Sequence, residues 1–267
     1  MRRRAAVAGR FYPADPEVLR RELAHYVGGV ETKHSALGCV VPHAGIMYSG
    51  HVAGAVYAQL QLPARFIILC PNHSGQGVPL SIMSEGVWET PFGDALIDAP
   101  LAHALKQACP HLEEDIEAHR LEHSLEVQLP FLQYLLDEFR FVPIAVGLGR
   151  YPVLEELGHA VAAVVEKAGD SVLVIASSDM NHYERDEQTR IKDRKAIDRI
   201  LALDPKGLFD TVQREAISMC GYGPTVAMLT AAKDFGARQA ELVRYATSGD
   251  VTGDRTAVVG YAGIIVR

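Results

Sequence analysis

The chain has 267 residues, a net charge of −7, 48% hydrophobic and 22% charged residues, which fits one large α/β domain with a substantial buried core. The acidic balance argues against a nucleic-acid binder, because phosphate contacts need a clustered basic surface. No apolar run is long enough to span a bilayer.

At the start, Arg2-Arg3-Arg4 is followed by no apolar core of seven or more residues, so it does not read as a signal peptide and a cytoplasmic home is expected. The four cysteines, Cys39, Cys70, Cys109 and Cys220, contain no Cys-x-x-Cys pair. In a reducing compartment they are expected as free thiols, most of them in the core.

Short apolar runs bounded by turn residues predict buried parallel strands over 36–42, 65–71 and 171–177, with a fourth over 141–146. Between the first two, 49–60 has helical spacing with Ser49 as N-cap. Strand, helix, strand here forms a βαβ unit, so the first two strands are read as parallel neighbours. Further helices are predicted over 123–139, 152–168, 186–202, 205–215 and 224–235. The stretches 240–247 and 256–266 predict an antiparallel pair joined by the turn-rich 248–254. The expected fold is a single domain over 1–267, a mixed, mostly parallel sheet with helices on both faces.

Open α/β sheets place ligands beyond the carboxyl ends of their strands. Three predicted strands end in residues able to do chemistry: Pro42-His43-Ala44-Gly45, Cys70-Pro71-Asn72-His73 and Ser177-Ser178-Asp179-Met180-Asn181-His182. Neighbouring strands would bring His43 and His73 within reach of one metal ion. Asp179 and His182 add an acid–base pair on the same edge, against the plainer reading of a turn cap and an exposed imidazole. Cys220 sits in Met219-Cys220-Gly221-Tyr222-Gly223-Pro224, between two predicted helices; a cysteine in such a place is ordinarily a small buried hydrophobe.

Ala6–Pro13, Pro42–Gly45 with Tyr48–Gly50, Pro71–His73, Glu122–Glu126 with Leu129-Pro130, Ser177–Asp179 with His182, and Cys220-Gly221 occur in one order along the chain. In this the sequence resembles the Memo family (AmmeMemoRadiSam system protein B type), whose fold resembles the class III extradiol, protocatechuate 4,5-dioxygenase-like, dioxygenases. The resemblance implies a mononuclear metal site on His43, His73 and Cys220, with Asp179, His182 and His123 lining the pocket. It implies Fe(II) or Cu, with Zn admissible, and oxidoreductase-type chemistry on an unknown small molecule or peptide. In the dioxygenases the third ligand is a carboxylate. A thiolate favours copper or zinc and alters the redox behaviour of iron, which sets this chain apart from ring cleavage. A histidine at position 182 implies acid–base work. A pathway link to a radical-SAM protein is also implied.

Three other readings compete. His119-Arg-Leu-Glu122-His123 fits H-x-x-E-H, so a helix there would give a zinc metallopeptidase with Glu122 as base. The scaffold could instead serve as a non-catalytic peptide- or ligand-binding module. Cys220 could act as a metal-free nucleophile with His43 or His182 as base. Trp88 and Phe92 are read as packing, and Gly249 and Gly253 as parts of a hairpin connection.

Overall fold

The computed structural model describes residues 1–29, 33–147, 149–169 and 171–267. Their strands join one mixed sheet, whose centre runs in space Arg140–Val146, Arg65–Pro71, Val172–Ser177, Gly38–Val41 and Val258–Val266. The first four are mutually parallel and the fifth is antiparallel to Gly38–Val41. Ala240–Thr247 pairs antiparallel with Val258–Val266, as expected of two strand-like stretches joined by a turn-rich connection.

The βαβ expectation needs one correction. Gly38–Val41 and Arg65–Pro71 are parallel but not neighbours, because Val172–Ser177 lies between them and pairs with both. Periodicity reports which faces a strand buries, and all three bury both; such strands carry no signal of which partner they take.

Successive side chains feed two separate cores, as a two-residue repeat demands. Val40, Ile67, Leu69, Val174 and Ala176 pack on one face against the helices Ala99–Ala108, Tyr151–Ala168, Asp186–Leu201, Pro205–Arg214 and Tyr222–Asp234. Cys39, Val41, Phe66, Ile68 and Ile175 pack on the other against Pro16–Tyr26, Ile46–Gln59 and Gln128–Leu135. Each fully buried aliphatic or aromatic side chain contributes roughly 1.5–3 kcal/mol. Covering both faces leaves the carboxyl edge of the parallel strands as the open working surface.

Local chemistry sets several helix starts. Asp15 accepts from the N–H groups of Glu17 and Val18 and Pro16 opens the helix; Asp98 with Pro100, and Asp204 with Pro205, repeat the device. The helix predicted to begin at Ser49 begins at Ile46 after Gly45, and the Ser49 hydroxyl donates to the Ala44 carbonyl at 2.9 Å. The helix predicted over 123–139 is confined to Gln128–Leu135. Upstream, Ser124 donates twice to the Glu122 carboxylate, from N–H at 2.9 Å and Oγ at 2.6 Å, a local turn that competes with helix formation. The helix Pro16–Tyr26, the helix Ala99–Ala108 and the short strands Leu80–Ile82, Val87–Thr90 and Gly93–Ile97 were not foreseen from the sequence. Among the described residues no helix is long and apolar enough to cross a membrane.

Candidate metal centre

His43 leaves the end of Gly38–Val41 in a tight connection to the helix Ile46–Gln59 and is almost wholly buried. Its backbone N–H donates to Asp179 Oδ1 at 2.7 Å, and that of Ala44 to the same oxygen at 3.3 Å. The two strand ends are thus tied together by one carboxylate. The His43 ring contacts Ser177 through Nδ1 at 2.9 Å. Ser177 Oγ spends its one hydrogen on the Ser124 carbonyl at 2.6 Å and accepts from Gln128 Nε2 at 2.9 Å. Toward His43 it can only accept, so Nδ1 carries the ring proton and Nε2 keeps a free lone pair.

His73, after Arg65–Pro71, is fixed in the same sense. Its backbone N–H and ring Nδ1 donate to the two oxygens of Glu122, at 2.5 and 2.9 Å. A carboxylate behind a ring nitrogen orients the ring and raises the basicity of the other nitrogen, as behind many metal-ligating histidines. Burial pulls the His73 pKa down, but the hydrogen bond and charge of Glu122 outweigh it and the net shift is upward. Glu122 is pushed up by burial, yet its bonds from His73 and Ser124 hold it at about 2.

Although a strand separates theirs, the two rings converge over its end, with centroids 5.3 Å apart. His123 completes the cluster, stacked on His73 at 4.6 Å and 5.6 Å from His43, with Phe11 against its other side at 4.7 Å. One ligand atom from each of His43, His73 and His123 lies within 4.8 Å of the other two. Burial lowers His43 well below its usual range, and neighbouring histidines add to the effect. His123 falls to about 4, first through burial and with the charge of His73 contributing. Both are neutral imidazoles at physiological pH, the form that binds a metal.

Cys220 reaches the cluster from the turn before the helix Tyr222–Asp234. Its Sγ lies 3.3 Å from His43 Nε2 and 3.7 Å from the Asp179 carbonyl. With the proton of His43 on Nδ1, its Nε2 lone pair and the Asp179 carbonyl are the two acceptors open to the one thiol hydrogen. Burial, then the nearby Asp179 carboxylate, pushes the thiol well above its usual range, so an imidazolium–thiolate nucleophile is disfavoured. A metal ion would replace that hydrogen: bonds of about 2.1 Å to nitrogen and 2.3 Å to sulfur put the donors roughly 3.3–3.6 Å apart, which the 3.3 Å separation fits. The other three cysteines are free and buried.

Asp179 and His182 share the same cavity, of about 870 Å³. Burial raises the Asp179 pKa despite the two backbone N–H groups it accepts. The His182 Nδ1 lies 2.8 Å from the Ser218 carbonyl, which can only accept, so its Nε2 is also the open nitrogen. Ser177 stands in a strand-end run singled out in the sequence, but its role toward His43 was missed, as were Gln128 and Ser218, because each acts across the fold.

The H-x-x-E-H segment does not form a metallopeptidase site. The helix Glu117–Arg120 ends before Glu122, and His119 lies 0% exposed against Trp88 with Nε2 3.1 Å from Ser81 Oγ. His123 stacks in the pocket on His73 instead, and Glu122 is engaged with that residue. Trp88 packs in the core, as predicted from the sequence.

Comparison with known proteins agrees with the architecture and with the order of the motifs. The sequence matches the family described as Memo-like protein over residues 3–265. A MEMO1 family protein of Methanopyrus kandleri is 46% identical, covering 100% of this chain and 99% of its own. Relatives from Methanothermobacter thermautotrophicus and Methanosarcina barkeri are 43% and 46% identical, covering 98% and 99% of this chain and 99% and 100% of their own. Among solved structures, an uncharacterized protein of Escherichia coli K12 shares the fold at a TM-score of 0.57 and 13% identity, covering 85% of this chain and 98% of that one. With a family match across the chain and full-length relatives at this identity, this protein belongs to the Memo family.

Proposed function

We propose that the carboxyl edge of the sheet holds one transition-metal ion on Nε2 of His43, Nε2 of His73 and Sγ of Cys220, for redox chemistry on a small molecule seated in the adjoining cavity. The observation that carries this reading is the fixed tautomer of both histidines. Each is committed through Nδ1 to an acceptor, Ser177 Oγ or the Glu122 carboxylate, which leaves Nε2 as the open donor in both.

Iron or copper bound there would supply one-electron redox chemistry, and zinc would supply Lewis acidity. The chain's own residues do the rest. Asp179 holds the His43 turn in place, the stacked ring of His123 shields His73, and His182 is the group placed to exchange a proton with a molecule in the cavity. A second reading has three imidazoles, His43, His73 and His123, as the ligand set; their mutual spacing favours it.

The test is metal content by mass spectrometry on protein purified anaerobically without a histidine tag. Near-stoichiometric iron or copper, lost in His43→Ala and Cys220→Ser but kept in His123→Ala, is the expected result. Retention in Cys220→Ser with loss in His123→Ala selects the three-imidazole set. No metal in any sample after reconstitution overturns both and leaves a ligand-binding module.

A further inference from the structure

We infer that the mouth of the cavity binds an organic ammonium group, held against the aromatic rings of Tyr48 and Tyr183 with Asp254 as its counter-charge. This rests on the reading of the same cavity as a substrate site and names the class of molecule it admits.

Tyr183 is the first observation. It is 78% exposed, it lines the cavity, and its φ of 61° lies in the left-handed region that a tyrosine rarely adopts. Its neighbours pin it there. The His182 N–H donates to Ser218 Oγ at 2.8 Å, Glu184 is paired with Lys192 at 2.6 Å, and the pairing with Val258–Val266 shifts register between residues 182 and 184. A register shift of this kind re-aims a side chain, and such shifts gather near functional sites. Apart from a tilted contact with the His182 ring at 5.6 Å, the Tyr183 ring is left in solvent, with little packing to offset the strain. The energy goes instead to holding an aromatic face at the opening.

Two more phenols line the same cavity, Tyr48 half-buried and Tyr261 only 2% exposed. The third observation is charge. Asp254 lies exposed at the opening, its Oδ1 capping the N–H and hydroxyl of Thr256 at 2.9 and 2.7 Å. Among the described residues no lysine or arginine lines the cavity. The nearby Arg190 and Arg255 are spent on Asp186 and Asp250. A cation beside Asp254 finds both an aromatic face and an opposite charge, and the arginine whose charge reaches a lining residue, Arg10, acts on His123.

The experiment titrates metal-free protein with choline and with its uncharged isostere 3,3-dimethyl-1-butanol, read by calorimetry and by tyrosine NMR shifts. Choline should bind about fivefold tighter or more than the isostere. Tyr183→Ala and Asp254→Asn, both at exposed positions, should each weaken choline by roughly threefold or more while the isostere is unaffected. Equal binding of the two probes, tighter binding of benzoate, or choline affinity unchanged in Tyr183→Ala overturns the inference. Because the probe is read without metal, this failure is separate from that of the metal reading, which the metal content of the Cys220 and His43 variants decides alone.

Discussion

His73 and Glu122 are joined twice, the backbone N–H to one carboxylate oxygen at 2.5 Å and the ring Nδ1 to the other at 2.9 Å. The pair sets the position, the tautomer and the basicity of one proposed ligand together. Glu122→Gln keeps an oxygen for one donor but removes the charge. Metal affinity should fall about tenfold to a hundredfold, and an NMR titration should find the His73 pKa lowered. An unchanged His73 titration would sink this account.

Metal uptake should release protons. The His73 pKa is raised by Glu122 against the pull of burial, and the Cys220 pKa is raised by burial and then Asp179. Cys220 must lose its proton to bind a metal, and His73 must lose one wherever its raised pKa leaves the ring protonated, so affinity rises with pH. The slope is roughly tenfold per unit for each proton displaced, and Glu122, at about 2, stays ionised throughout. Calorimetry in buffers of different ionisation enthalpy counts the protons; a pH-independent affinity would contradict the proposed ligand set.

Gly221 follows Cys220 where the chain passes the end of Val172–Ser177. A Cβ there would lie 2.4 Å from the Ser177 carbonyl oxygen and 2.4 Å from Ser178 Cβ. Backbone cannot yield as a flexible side chain does, so Gly221→Ala must shift the turn carrying the thiol. The expected result is loss of metal together with about 1–3 kcal/mol of stability in denaturant melts. Full metal occupancy in this variant would show that the sulfur is not a ligand.

Asp193 is buried, accepting from the Asn181 N–H at 2.8 Å and the Tyr245 hydroxyl at 2.7 Å. Burial outweighs these bonds and lifts its pKa from 3.8 to about 7. The folded state therefore holds a proton that the unfolded chain has already lost. Its stabilising contribution is complete below about pH 4 and declines until about pH 7, by on the order of 1.4 kcal/mol per unit. In Asp193→Asn that slope should flatten, giving a variant more stable than the parent at pH 8. Parallel stability curves from pH 4 to pH 8 would refute the assignment.

Fold class was readable because strands such as Arg65–Pro71 are buried on both faces and read as continuous apolar runs, and because two strand-like stretches near the end are joined by a turn-rich connection. Strand order was not readable. Nothing in 38–41 or 65–71 states that 172–177 separates them, since all three offer equally apolar edges. The residues of the centre stood out as polar groups after apolar runs, at His43, His73 and Asp179. The tautomer of His43 depends on Ser177 and Gln128, that of His73 on Glu122 and that of His182 on Ser218, partners brought in by tertiary packing. The H-x-x-E-H match, a minor alternative from the sequence, fails for a related reason: the helix Glu117–Arg120 stops short of Glu122, which Ser124 engages locally.

The insertion of Val172–Ser177 between two strands that precede it by about a hundred residues has a consequence for biosynthesis. A growing chain that has reached residue 73 carries both strand-end histidines but no strand to span the gap between them. Until 172–177 is added, nothing in the sheet holds the two histidines at their native separation, so the proposed site would be incomplete. Because the sulfur at 220 follows later still, acquisition of an ion would be a late event and a read-out that the centre of the sheet has closed in the right order.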